Sequence, residues 1–506
     1  MTDREKIMSE DYYDFLTDSP REEGFTGYFE DGLFLNIEND LSLVYIKKDE
    51  MSPQRLRRLI YRDVPKLFGL MGLERGAAVS FDPEPLMKCG ILQVQGAPLN
   101  LTGRGVVLGF LDTGIRYDEE VFRNPDGSTR ILGIWDQEIQ SGQPPAGFLY
   151  GTEYTRELIQ AALQSEKPRQ IVPSYDENGH GTEIASVAAG SILSGGLRFQ
   201  GAAPDADIVV VKLKQAKRYL TESFFVPDGV TAYEENDVIA AVKYLEGYAV
   251  SMRRPLVICM GIGTNMGNHE GQSLLAEYLN SVATRRSRSV VVCGGDEGNS
   301  AHHFIGYATA VDHSLVEPGS GGELILFRFQ DPTPGIWTIQ VTTTGAEYDE
   351  NGNFHIWLPI TQFLGGDTYF LRPSPYVTLT EPGNTREVIT TTYYQDSNNS
   401  FYGESGRGFS RRGNIKPELC TPGVEISTVL GSRTGSAFGA ALLAGICAQF
   451  LQWAVVDGRE RWLESREVKN YLIRGAVRPP GIQFPSREWG YGQVNIAKTF
   501  DVIAGI

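Results

Sequence analysis

Cysteine is scarce. Cys89, Cys259, Cys293, Cys420 and Cys447 stand singly along 506 residues. Odd in number and set mostly in apolar runs, they exclude a disulfide framework and read as buried thiols of a reducing compartment. Histidine is also sparse, with six copies. No group falls at metal-ligand spacing, so neither a catalytic metal nor another cofactor is expected. An excess of positive charge is missing: 46 basic against 63 acidic side chains leave a net charge of −17. That argues against a nucleic-acid partner and provides no polybasic handle for anionic lipid. Apolar runs of membrane-spanning length are lacking, so no membrane span is expected. The N-terminal "MTDREKIMSEDYYDFL" is acidic and has no apolar h-region, so no secretory signal is expected. Internal repeats and long low-complexity tracts are absent as well.

What is present is ordinary globular composition, 41% hydrophobic and 22% charged, in a chain long enough to bury a full core. Residues 1–85 read as a small α+β unit. "GLFLNIE" and "LSLVYIKK" have strand character, and "SPQRLRRLIYRDVPKLFGLM" reads as an amphipathic helix running into an extended segment. "SFDPEPLMKCG" is Pro-containing and reads as a linker. Residues 86–304 and 379–506 alternate buried-type strands ("VVLGFLD", "ADIVVVKLK", "PLVICMGIG", "SVVVCGGDEG") with helical stretches. This alternation predicts an α/β fold, a parallel sheet with helices on both faces and functional loops at the carboxyl ends of its strands. Residues 305–378 change texture. "ELILFRFQ", "GIWTIQVTTT" and "GNFHIWLPI", split by Pro/Gly/Asn turns, predict an inserted all-β subdomain. The adjacent His302 and His303 read as an exposed loop, and the aromatics of "GDTYFLRPSP" as core packing.

Three segments carry chemistry. Asp112 ends "VVLGFLD" and is followed by a tight Thr-Gly turn. His180 lies in "DENGHGTEIASVAAG", where flanking glycines let the backbone turn into a helix. Residues 433–445, "RTGSAFGAALLAG", run from a Gly-rich turn through small residues into a helix. Singly, an Asp at a strand end is often a turn former, and a His between glycines is more often a turn residue than a catalyst. Acid, imidazole and helix start in this order, each on the expected element, make a stronger pattern.

"TGRGVVLGFLDTGI", "NGHGTEIASVAAG" and "KPELCTPGVEI" resemble the peptidase S8, or subtilase, family, whose triad has this chain order. "RILGIWDQEIQSGQPPAGFLYGTEYT", "FFVPDG" and "PSREWGYGQVNI" are similar to the clostridial Csp-type group, which pairs a prodomain with a subtilase domain carrying a jelly-roll insertion. The resemblance implies that residues 1–85 are a prodomain, residues 305–378 a jelly-roll-like insertion, and the location cytoplasmic or spore-associated. It implies a peptide or protein substrate or partner, with the chain's own prodomain as another. Asp112 would orient His180, His180 would take a proton from a serine hydroxyl, and Gly261, Ile262 and Gly263 would pair with extended substrate. The prodomain is expected to dock with its end toward the cleft, residues 81–95 holding the junction.

The chain departs from the family in two places, the nucleophile motif Gly-Thr-Ser-x-Ala and the oxyanion loop. Anchoring on Gly435 and on Ala444-Gly445 puts Ser436 at the Thr position and Ala437 at the nucleophile. Making Ser436 the nucleophile would turn the helix face by about 100°. Asp296 stands where the family has the Asn that donates to the oxyanion; an ionised carboxylate would repel that charge, and a protonated one could donate. Three readings follow: a natural pseudopeptidase that binds a peptide or protein, an active-site knockout of a peptidase, or an active serine endopeptidase performing limited proteolysis with Ser436 as nucleophile.

Overall fold

The computed structural model describes residues 1–18, 31–51, 63–73, 75–76, 80–194, 198–307, 334–340 and 353–505. Its centre is a nine-stranded sheet. Seven strands are parallel, in the spatial order Ile131–Asp136, Asp207–Lys212, Val107–Asp112, Leu256–Met260, Arg288–Cys293, Ile389–Gln395 and Leu419–Pro422. Antiparallel strands Thr152–Thr155 and Ser400–Phe401 flank them.

Side-chain alternation along a strand explains the two-sided core. Leu108, Phe110, Val257 and Cys259 face a core shared with the helices His180–Ala189, Ser436–Leu451, Ser465–Arg474 and Ile496–Ala504. Val107, Leu111, Ile258 and Met260 face a second core under the helices Glu235–Met252 and Leu274–Ala283. The helix Ser436–Leu451 is buried along its whole length, which is why its sequence is apolar all round. With its continuation to Val456 it is long and apolar enough to cross a membrane, yet here it runs through the protein core. All five cysteines are free and buried.

The N-terminal strands Tyr12–Thr17, Leu33–Glu38 and Leu41–Lys47 form an antiparallel sheet with Leu41–Lys47 in the centre. Leu16, Leu43 and Tyr45 extend the second core. A buried charge network ties this sheet to the rest. Asp14 pairs with Lys217, whose N–H donates to Glu234, while Lys214 reaches Asp237 at 2.8 Å.

Several expectations need correction or fall elsewhere. The "SFDPEPLMKCG" stretch is not a bare linker: it contains the helix Glu84–Lys88, started by Pro85 in its first turn and by an Asp82 carboxylate accepting the Glu84 N–H. His302 and His303 are buried. His302 bonds Glu297 at 2.6 Å, and His303 Nε2 lies 2.9 Å from His355 Nδ1. Strand pairing explains the burial of His303, since His303–Tyr307 is antiparallel to Asn353–Trp357 and sets the imidazole rings in a stack with Trp357. Within "GDTYFLRPSP", Tyr369 and Leu371 are exposed, so they are not core. The expected helix over residues 52–62 and the strand "ELILFRFQ" lie outside the described residues. Of "GIWTIQVTTT", residues 335–340 are described and carry neither helix nor strand.

Candidate active site

Asp112 leaves the sheet at the carboxyl end of a central strand. Its Oδ1 accepts the Thr113 N–H at 2.7 Å and lies 2.8 Å from His180 Nδ1. His180 opens its helix after Gly179, which has a φ of 92° in the left-handed region that suits glycine. Asp176 fastens this turn, accepting the Gly179 N–H at 2.7 Å and the Thr182 N–H at 2.9 Å. The two loops interlock through the Gly181 N–H on Thr113 Oγ1 at 2.9 Å. A Cβ at Gly181 would run into the Gly114 carbonyl and come 3.1 Å from Asp112 Cβ, so glycine is what lets the loops meet.

The far side of the imidazole is occupied. His180 Nε2 lies 2.9 Å from the main-chain oxygen of Met71, a residue that no sequence motif marks. Burial opposes charge on this ring, but the Asp112 carboxylate and the Met71 carbonyl outweigh it and raise the His180 pKa above its ordinary value. An imidazolium has a donor for each of these two acceptors.

Met71 belongs to a strand crossing the cleft. Leu67–Leu70 pairs antiparallel with Ile262–Gly263 on one side and with Tyr233–Glu234 on the other. Gly69 lies opposite Gly263, Leu70 opposite Ile262, and the Met71 N–H donates to the Gly261 carbonyl at 2.8 Å. Beyond the imidazole, the Leu73 N–H donates to the Thr434 carbonyl at 2.8 Å, and Arg433 donates to the Leu73 carbonyl at 3.2 Å. Arg75–Gly76 then pairs with Gly431–Arg433. The cleft-crossing piece is therefore residues 67–73. The stretch expected to hold the junction instead forms the helices Glu84–Lys88 and Ile91–Gln95, where Pro85 and the left-handed Gly90 favour short helices over an extended run.

Ser436 and Ala437 are the first two residues of the long helix. The Ser436 N–H donates to Asp296 Oδ1 at 2.9 Å, and its hydroxyl lies 3.1 Å from Asp296 Oδ2. Desolvation pushes the Asp296 pKa up to about 6. Ala437 is fully buried on the Asp112 side: a Cβ at Gly261 would lie 3.3 Å from Ala437 Cβ and 3.2 Å from Asp112 Oδ2. Met71 Sδ packs beside Gly263, which also abuts Thr380, just before the Pro382-Gly383 turn where the chain returns from the insertion. Among the described residues no cluster of three or more His, Cys, Asp or Glu could hold a metal ion.

Comparisons with known proteins agree with this architecture. A model of the subtilase family matches residues 103–320. The subtilisin-like protease SBT3.5 of Arabidopsis thaliana is 32% identical over 289 residues, 51% of this chain and 34% of that protein. The serine protease AprX of Bacillus subtilis is 30% identical over 113 residues, 22% of this chain and 17% of that protein. The matches thus span 34% and 17% of those two relatives. The solved CspB protease of Clostridium perfringens superposes with a TM-score of 0.68 at 27% identity, covering 84% of this chain and 98% of that one. A subtilase match through the segments that carry Asp112 and His180, joined to a fold shared with nearly the whole of a solved protease, makes this chain similar to the subtilases in sequence over residues 103–320 and in fold.

Proposed function

We propose that this subtilisin-like chain uses its cleft to hold an extended peptide rather than to cut one, with Ala437 at the nucleophile position and residues 67–73 as the resident occupant. The observation that carries this reading is the engagement of Ser436. Its N–H and its hydroxyl both face the Asp296 carboxylate, which commits the serine away from His180. Ala437, the neighbouring first-turn residue, has only a methyl group to offer. Loss of the serine from a subtilisin-type triad lowers turnover by about 10⁶-fold.

The Met71 carbonyl supports the same reading. For acyl transfer, the carbonyl oxygen must point at donors that stabilise developing negative charge while the carbon faces the nucleophile. Here the oxygen takes the imidazole's second hydrogen-bonding position, the one a nucleophile hydroxyl would use. Residues 1–73 then act as a prodomain-like unit that stays seated on a chain without the means to release it by cleavage.

A fluorophosphonate probe tests this on four proteins: the parent, Ala437→Ser, Ser436→Ala, and Ala437→Ser with Asp296→Asn. The parent and Ser436→Ala should not label. Ala437→Ser should either label or cut itself between Met71 and Gly72. Asp296→Asn should speed that reaction by replacing a titrating carboxyl with a fixed amide donor. Labelling of the parent that vanishes in Ser436→Ala would instead make Ser436 the nucleophile and the chain an endopeptidase.

A further inference from the structure

The segment in the cleft is read on both faces. Leu67 and Met71 pack into the core that contains Ile360 and Phe363, while Phe68 and Leu70 pack toward the opposite core. Gly69 shares the strand face of Leu67 and Met71. Over that face runs a strap, residues 360–363, that lies late in the 305–378 segment. Ile360 and Phe363 are buried, and the strap is tied down by the Thr361 N–H on Glu297 Oε1 at 2.9 Å. Gln362 reaches across and donates to the Leu70 carbonyl at 2.7 Å.

This strap leaves no room for a side chain at position 69. A Cβ on Gly69 would overlap Gln362 Nε2 and come 2.6 Å from Ile360 Cδ1. Gln362 could swing away only by giving up its hydrogen bond to the peptide. A second constraint lies two residues past Leu70. Gly72 has a φ of 144°, where a side chain is strained, and a Cβ there would sit 3.1 Å from the Phe438 ring. Gly435 presses on the same point, since a Cβ on it would come 2.5 Å from Gly72 Cα.

We infer that the strap makes Gln362 and Ile360 specificity-determining residues, so that the cleft accepts extended apolar segments with glycine two residues before the Met71 position and glycine immediately after it. In this chain the segment reads Leu67-Phe68-Gly69-Leu70-Met71-Gly72. A partner that displaces it must present the same spacing of glycines within an apolar strand. The inference rests on residues 67–73 being the occupant of the groove, as proposed above.

Hydrogen exchange of the full chain, read by mass spectrometry over residues 67–73, tests both layers separately. Four proteins are compared: the parent, Gly69→Ala, a relieved strap carrying Ile360→Val with Gln362→Ala, and the relieved strap with Gly69→Ala. The Val107–Asp112 strand serves in each as the internal measure of an intact fold. The parent should protect residues 67–73. Gly69→Ala should raise their exchange about tenfold, as expected for one hydrogen bond lost. The same substitution on the relieved strap should change exchange by less than about twofold. Equal protection in the parent and Gly69→Ala, or an equal cost in both backgrounds, overturns the strap as the source of selectivity. An unprotected segment in the parent would overturn the occupied groove itself.

Discussion

His180 makes the occupied cleft pH-dependent. Its pKa is raised in the folded protein, so its stabilising contribution is complete below about pH 6.5 and fades as pH rises through the folded value. Above that value the ring keeps one proton for Asp112 and turns a lone pair on the Met71 carbonyl. Asp296 bonds Ser436 rather than residues 67–73, and it titrates in a lower range. With its pKa pushed up to about 6, its contribution is complete below about pH 4 and is lost as pH rises through about 6. Residues 67–73 should therefore be better protected at pH 6 than at pH 9, after correction for intrinsic exchange. Asp112→Asn should move the loss of protection to lower pH, because it removes the carboxylate that holds the proton on the ring. A pH-independent protection factor would contradict this. Asp112 and His180 were legible in the sequence because a strand-end acid and a glycine-flanked imidazole are fixed by local backbone geometry. Met71 and Gln362 were not, because the first meets its imidazole across 109 positions and the second meets Leu70 across 292. No local pattern encodes such a meeting.

Elements impose their own constraints, and the helix Ser436–Leu451 shows how tightly. A Cβ at Gly445 would overlap Ala202 Cβ and come 2.9 Å from the Ala188 carbonyl, and neither is the far end of a flexible side chain. Gly445→Ala should destabilise the protein by about 1–3 kcal/mol despite the higher helix propensity of alanine, read as a lowered denaturant midpoint. The small residues of this helix thus also mark where another backbone approaches. The strand pair His303–Tyr307 and Asn353–Trp357 carries a different constraint. Burial lowers the His303 and His355 pKa values to about 3 and about 4. Folded values depressed below the ordinary one mean that their contribution is present above about pH 6.5 and lost as pH falls through the folded values. Two protonated rings cannot keep the Nε2–Nδ1 hydrogen bond. Exchange of residues 303–307 should therefore rise relative to the central sheet between pH 6 and pH 4. The alternating strands of the sheet were legible from their apolar runs; this histidine pairing was not, because it depends on the register between strands 50 residues apart.

At the scale of the whole molecule, the N-terminal sheet is fastened by charge as well as by apolar packing. Asp14, Lys217, Glu234, Lys214 and Asp237 are all buried, and each depends on the others for a counter-charge. Removing one member leaves an uncompensated charge, so Lys217→Met should cost about 3–5 kcal/mol. The loss should appear first as faster exchange of Tyr12–Thr17 and Leu41–Lys47, with Val107–Asp112 still protected. The tether between this sheet and the cleft strand sets the terms for any competitor. A peptide arriving from solution meets a rival on the same chain, so it competes with an intramolecular contact. Equal intrinsic affinity is then not enough: the newcomer binds only in the fraction of molecules whose own strand has left, and its apparent affinity falls by that fraction. Whatever unseats the N-terminal sheet raises that fraction, so a signal received at the charge network around Lys217 would be read out as vacancy in the groove beside His180.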